Sequence, residues 1–228
     1  MTPEQVAASQ RERMLRAMAV AAAGKGYKAT TVSDVVGGAR VSRKTFYEHF
    51  EGLEACFLAA YEACVEQLRG GLGGALDAEL EPIEQGRRLL AAYLQLLADE
   101  PEMAKTYLVE AYSAGPRASA RRREALGEFA GLIRMLHERL GGEDLGVVGY
   151  ELIVGAIVNA VTIRVATGET DRLPELLDEL HAFVLRALEK LEEGTYGTCD
   201  RCGGPIAAAR LRFSPESVLC IDCAGAVR

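Results

Sequence analysis

Apolar residues recur every three or four positions over most of this chain, which is the spacing of one face of a helix. Between residues 4 and 24, Met14, Leu15, Met18 and Ala22 share a face while Arg11, Arg13 and Arg16 point elsewhere. Residues 53–68 continue with Phe57, Leu58, Tyr61 and Val65, and a break is expected at Gly70-Gly71 and Gly73-Gly74. Pro82 opens a helix to about residue 98 that turns Leu89, Leu90, Tyr93, Leu94 and Leu97 inward. Pro101 opens another, to about residue 114. After Gly115-Pro116 comes a long helix with Arg121, Arg122, Arg123, Phe129, Ile133 and Leu136, ended by Gly141-Gly142. Two more helices are expected at 145–167 and 172–193. No strand alternation precedes residue 194, so the fold class expected is all-α.

The stretch 145–163 is the most apolar, but Glu151 and Asn159 interrupt it, and Gly149, Gly155, Ala156 and Ala160 suit close helix packing. A buried helix fits better than a membrane span. So greasy a helix must bury nearly its whole circumference, and a symmetric homodimer would supply the second surface.

Residues 30–50 carry a denser signal. Two short helical patterns meet at Gly38-Ala39-Arg40. Thr31 and Ser42 stand where N-caps belong. Phe46 and Phe50 are four apart and share one face, which leaves Arg43, Lys44, Thr45, Tyr47 and His49 for phosphates and base edges. The pattern is that of a DNA-binding helix-turn-helix; the alternative is a helical hairpin without a DNA role.

These residues closely resemble the TetR family of bacterial transcriptional regulators. Thr31, Val32, Val35, Ala39, Val41, Ser42, Thr45, Phe46, Tyr47, His49 and Phe50 match its first-domain pattern. Arg40 stands at the turn glycine, asking a non-glycine residue for positive φ, and Leu53 replaces a lysine that would touch phosphate. The resemblance extends over residues 5–193. It implies a helix-turn-helix domain at 1–52 and a ligand-binding and dimerisation domain at 53–193. It also implies a palindromic double-stranded operator as partner, with Thr31, Ser42, Arg43, Lys44, Thr45, Tyr47 and His49 at the DNA. A small-molecule effector pocket would be lined by Phe57, Tyr61, Tyr93, Met103, Tyr107, Tyr112 and Phe129, with ordinary core as the plainer role for each.

Charge supports one-ended contact with DNA. The net charge is −7, yet residues 1–52 hold eight Lys/Arg against five Asp/Glu, while the remainder holds 18 against 28. A basic head on an acidic body presents one end to phosphate. Arg121-Arg122-Arg123 reads as a solvated face, and His137 and His181 as surface or satisfied, partly buried histidines. Cys56 and Cys64 read as small core residues, with a thiol sensor as the lesser alternative. No catalytic constellation stands out, so no enzyme is expected. The polar start shows no secretory leader, and the expected location is the cytoplasm, at the nucleoid.

Residues 194–228 change character. Cys199-Asp200-Arg201-Cys202 and Cys220-Ile221-Asp222-Cys223 form C-x2-C-x17-C-x2-C. That spacing suits one tetrahedral zinc on four thiolates, with Gly203-Gly204 easing the knuckle; two disulfides are the alternative, disfavoured in a reducing compartment. With its neighbours from Leu191 to Gly194-Thr195-Tyr196-Gly197 and from Gly203-Gly204-Pro205-Ile206 through Arg210-Leu211 and Pro215, the segment is similar to the DksA/TraR-type zinc finger. That resemblance brings RNA polymerase in as a possible partner, although the helix entering the finger is here the last TetR-like helix. Four arginines (201, 210, 212, 228), three acids (200, 216, 222), four thiolates and Zn2+ leave a loaded finger near neutral, which disfavours a second DNA-binding head. An end-cap for the dimer helices or a protein-docking knob fits better, and a thiol or zinc sensor is the remaining alternative.

Overall fold

The computed structural model describes residues 2–214 and 217–226, without the side chains of Arg212 and Phe213. Pro215, Glu216 and Arg228 of the finger lie outside the described residues. The order is α1 (Pro3–Lys25), α2 (Val32–Ala39), α3 (Arg43–His49), α4 (Leu53–Ala75), α5 (Pro82–Asp99), α6 (Pro101–Leu108), α7 (Pro116–Arg139), α8 (Gly146–Ala166), α9 (Leu177–Glu192), α10 (Ala208–Phe213) and α11 (Ile221–Gly225). The β-pairing among the described residues is a single bridge, Thr198 to Pro205, in the finger.

Each start has a local cause. Thr2 caps α1 through a reciprocal box with Gln5, and prolines open α5, α6 and α7, where a missing N–H costs nothing. Thr31 caps α2 in a box closed by Asp34, and Arg40 ends it in the left-handed region at φ 54°. The strain at Arg40 is offset from α1, where Arg13 Nη1 donates to the last helical carbonyl of α2, Ala39 O, at 2.8 Å. Gly38 lets α1 approach α2: a Cβ there would sit 3.0 Å from Ala17 Cβ.

Three expected boundaries move. The glycine cluster does not break α4, which runs through it to Ala75. Leu68, Leu72 and Ala75 are buried on the same face, so packing outweighs a penalty of about 1 kcal/mol per glycine. The helix opened by Pro101 ends at Leu108 and passes through a short 3-10 turn, Glu110–Tyr112. The last long helix begins at Leu177, because Thr170–Leu176 around Pro174 winds as 3-10 and buries Leu173 and Leu176.

One continuous core runs from α1 through α4, α5 and α6 to α8 and α9. α8 is long and apolar enough to cross a membrane by length and composition. It buries Tyr150, Ile153, Val154, Ile157, Val158, Val161 and Val165 in that core, and leaves Val147, Val148, Leu152 and Ile163 exposed.

Candidate functional site

α3 is held as a rigid unit. Ser42 Oγ accepts the Thr45 N–H at 3.0 Å, and Phe46 and Phe50 are buried with ring centroids 5.6 Å apart. The Arg11 guanidinium lies 5.6 Å from the Phe50 ring centroid. Outside stand Arg43, Lys44 and Tyr47, the last 56% exposed, with Thr45 and His49 half-buried beside them. Arg43 Nη2 donates to Ser33 Oγ of α2 at 2.6 Å, which fixes the side chain across the turn. The hydroxyls of Thr31 and Ser42 serve as caps. Sequence reasoning missed Ser33, Asp34 and the Ala39 contact of Arg13; Asp34, three residues after Thr31, is a readable capping-box signal.

Asp34 Oδ2 accepts from Lys25 Nζ at 2.6 Å, from Thr31 Oγ1 at 2.6 Å and from Thr31 N at 2.7 Å. The Lys25 bond first, then the Thr31 hydroxyl and N–H, hold the carboxyl at about 2, below its usual 3.8.

The middle of the body contains an apolar cavity of about 130 Å³ lined by α4, α5, α7, α8 and α9. Of the seven expected lining residues, Tyr93 and Phe129 border it. Phe57, Tyr61, Met103 and Tyr107 are instead core residues. Tyr112 is 61% exposed, because α6 ends at Leu108 and the 3-10 turn carries residue 112 to the surface. The other walls are Leu89, Leu132, Ile133, Leu136, Val158, Val184 and Leu188, with two histidines. His137 is buried, with Nδ1 3.1 Å from Tyr150 Oη and Nε2 3.2 Å from Glu192 Oε1. His181 Nε2 lies 3.2 Å from Ile83 O. Gly142 is required here, since a Cβ would run into the His137 ring.

Of the arginine run, Arg123 is exposed as expected, whereas Arg121 and Arg122 are half-buried. Arg121 is 18% exposed and holds Glu62 through Nε and Nη2, the latter at 2.9 Å, while Arg122 lies 4.2 Å from the Tyr112 ring centroid. Tyr112 thus gains a stacking partner at the surface. Burial pushes the thiols of Cys56 and Cys64 up to about 12, so both stay protonated core residues.

At the chain's end, Cys199, Cys202, Cys220 and Cys223 bring four Sγ atoms within 4.8 Å of one another. The knuckle closes through Cys199 N to Gly204 O at 2.8 Å and Gly203 N to Cys199 O at 2.9 Å, with Gly203 at φ 68°. Cys202 Sγ and Cys220 Sγ are 3.8 Å apart. A tetrahedron with Zn–S near 2.3 Å has edges of about 3.8 Å, so the donor set fits zinc. Backbone N–H groups, that of Cys220 first, pull the Cys199 thiol down to about 6, whereas the Cys220 thiol and burial push Cys223 up to about 12. Four sulfurs this close cannot all ionise alone, and a divalent cation would supply the compensating charge. Lys190 of α9 pairs with Asp200, and Arg210 Nε donates to Leu219 O at 3.1 Å, tying the finger to the last helix and to itself.

Residues 15–60 match the profile of bacterial regulatory proteins of the tetR family, and residues 194–227 that of the prokaryotic dksA/traR C4-type zinc finger. A TetR-like transcriptional regulator from Rhodococcus sp. RHA1 superposes with a TM-score of 0.63 at 23% identity, over 78% of this chain and 96% of that one. The chain has the TetR-like fold with a C4 zinc finger appended. FadR from Bacillus subtilis, solved in complex with stearoyl-CoA, superposes with a TM-score of 0.66 at 18% identity, over 77% of this TetR-like chain and 98% of FadR. The RNA polymerase-binding transcription factor DksA of Caulobacter vibrioides is 36% identical over 62 residues, 25% of this chain and 44% of that protein. The chain spans about half the length of the curated relatives it matches.

Proposed function

We propose that this protein is a DNA-binding transcription regulator: a homodimer that holds a palindromic operator, represses, and is released by a small molecule. The observation that carries the reading is α3 itself. It is capped and anchored on one face, it presents Arg43, Lys44 and Tyr47 together on the other, and it lies within residues that match the tetR-family profile. Two such helices in a symmetric dimer would enter successive major grooves about 34 Å apart. The exposed Val147, Val148, Leu152 and Ile163 of α8 are the proposed contact with the second copy. Residues 1–52 are the proposed DNA-binding domain, 53–193 the effector and dimerisation domain, and 194–228 the finger. The apolar cavity is the proposed effector site, and a structural neighbour bound to stearoyl-CoA supports an apolar effector. The finger would hold one structural zinc per chain, and the protein would work in the cytoplasm at the nucleoid. Selection from random duplexes tests the reading: an inverted repeat is expected, and enrichment of no sequence would remove it.

A second reading has its own support. The identity with a relative named as RNA polymerase-binding favours the finger as a polymerase contact. Capture of purified RNA polymerase by the wild type but not by Cys202→Ser is expected on that reading. Equal capture, or none, leaves the finger as an end-cap of α9.

A further inference from the structure

The walls of the cavity carry no charged side chain among the described residues. Leu89, Phe129, Ile133, Val158 and Leu188 line it, and no Lys, Arg, Asp or Glu does. Tyr93 offers its ring, because its hydroxyl has no exposed surface and no hydrogen-bond partner among the described residues. Two histidines complete the lining. Both ring nitrogens of His137 are taken, by Tyr150 Oη and Glu192 Oε1, and His181 gives Nε2 to Ile83 O. An ionised group placed among these walls would lose its water and gain no partner, a cost that excludes it. The Glu192 carboxylate on His137 disfavours an anion further.

Size and shape narrow the occupant. An apolar cavity of about 150 Å³ lined by Leu, Ile and Phe takes benzene, and this one, of about 130 Å³, is of the same order. A stearoyl chain, with about three times the carbons of benzene, exceeds that space. The Tyr93 and Phe129 rings stand with centroids 6.2 Å apart, tilted by 55°, and supply both a face and an edge to an aromatic guest. Ile83 and Leu140 line the cavity and are exposed, so it reaches the surface between the start of α5 and the end of α7.

The chain keeps this space open at a cost. Gly86 stands inside α5, where glycine is a poorer helix former than alanine. It lines the cavity, and a Cβ there would make only an ordinary contact, 3.6 Å from Leu136 Cδ1. No clash requires glycine, so what its absent side chain provides is room.

We propose that the cavity takes an uncharged single-ring hydrocarbon of about the size of toluene, with the ring against Tyr93 and Phe129 and any small substituent towards Ile83 and Leu140. This rests on the reading of the cavity as the effector site, and it sets apart a neutral ring from a fatty acid or an acyl thioester.

Calorimetry and thermal melting of the full-length, zinc-loaded protein test it with toluene, benzoate and decanoate, each below its solubility or micelle limit. Toluene should bind saturably and raise the melting temperature, and it should bind at least about tenfold tighter than either acid, since neither carboxylate finds a partner. Gly86→Leu should melt at or above the wild-type temperature without ligand and weaken toluene by about tenfold or more. Phe129→Ala, which enlarges the cavity, should shift preference from toluene towards naphthalene. An acid that binds as tightly as toluene, indifference of toluene to both variants, or no binding of toluene would overturn the proposal. If toluene binds between these walls but leaves operator affinity unchanged, the apolar site stands and release by effector fails.

Discussion

The carboxylate of Glu110 accepts the backbone N–H of Tyr27 at 2.7 Å, across 83 residues of sequence. Glu110 is only 8% exposed and sits in the 3-10 turn after α6, while Tyr27 opens the turn between α1 and α2. A second tie lies nearby, where Thr106 Oγ1 donates to Ala19 O at 3.2 Å. The body therefore grips the head through α6, the helix that also carries Tyr107. A shift of α6 would be felt at α1 and α2, and so at α3.

Glu110→Ala should cost about 1.5–3 kcal/mol, the range for a hydrogen bond to a charged group. Denaturant unfolding reads the loss, and hydrogen exchange should quicken at the Tyr27 amide while the amides of α3 keep their protection. On the proposed function, effector would also release operator less completely, because one hydrogen-bonded tie between head and body is gone. A variant as stable as wild type, with an unchanged Tyr27 amide, would show that the grip lies elsewhere.

Arg43 and Lys44 differ in preparation for DNA. Arg43 is held by Ser33 at 2.6 Å, whereas Lys44 is 88% exposed and reaches Glu48 only at 3.9 Å. A held side chain loses less freedom on binding. Arg43→Ala should therefore weaken operator binding by about 1–3 kcal/mol and relax base preference at one position, if it reads a base. Lys44→Ala should weaken all duplexes alike and flatten the salt dependence, as a phosphate contact does. Ser33→Ala should weaken binding less than Arg43→Ala by freeing the guanidinium. Gel-shift titrations at several salt concentrations decide it, and uniform loss across sequences for Arg43→Ala would make that residue a backbone contact.

The pH response of the head follows from Asp34. Its carboxyl is held at about 2 against an ordinary 3.8, so the folded state favours the ionised form. A depressed acid stabilises above its unfolded value and loses that contribution as pH falls through the folded one. The Lys25–Asp34–Thr31 cap should thus be intact above pH 3.8 and fade as the pH drops to about 2. The melting temperature of wild type minus that of Asp34→Asn should be constant from neutrality to about pH 4 and shrink below it. Parallel curves down to pH 2 would mean that the cap carries no such charge.

The parts of the fold that were legible in the sequence are those fixed by neighbours along the chain. Thr31 and Ser42 announced two caps, Phe46 and Phe50 one buried face, and the cysteine spacing one cluster. The misreadings arise where distant packing overrides a local rule. Gly70 to Gly74 look like a break, yet Leu72 and Ala75 are buried on the same helix. Arg121 looks solvated, yet Glu62, 59 residues away, takes its guanidinium. The cavity draws walls from five helices, so no single stretch could reveal it. His137 carries no local sign that Tyr150 and Glu192 will satisfy its ring, and Tyr93 none that its hydroxyl will be left over.

The glycines of α4 offer a direct test of that override. An added Cβ at Gly70, Gly73 or Gly74 meets nothing within 4 Å, whereas at Gly71 it comes 3.2 Å from Leu96 Cδ2. Alanine at the first three positions should each stabilise by about 0.5–1 kcal/mol, since helix propensity improves without a clash. Gly71→Ala should gain less, or lose, as Leu96 is displaced. Chemical denaturation of the four single variants reads the order. Destabilisation at Gly73 or Gly74 would mean that this turn is required to open, and that the sequence-based break has a dynamic meaning.

The finger depends on metal in a way the body does not. Among the described residues after 193, only Cys199 and Ile206 are buried apolar groups, too few for an independent core. Structural zinc contributes about 10–16 kcal/mol in such small modules. Chelation, or Cys202→Ser, should therefore unfold residues 194–228 locally, freeing Lys190 from Asp200. Exchange protection in α1 to α8 should be unchanged, and native mass spectrometry should show a dimer that has lost one zinc per chain. Operator binding should survive, because α3 belongs to the other end of the chain. If chelation instead abolishes specific DNA binding while the helical body stays folded and dimeric, the finger is no passive cap. The link would then run through α9, which borders the cavity with Val184 and Leu188 and flanks the finger with Phe183 and Lys190. In that case the four cysteines would be a switch for zinc or thiol chemistry.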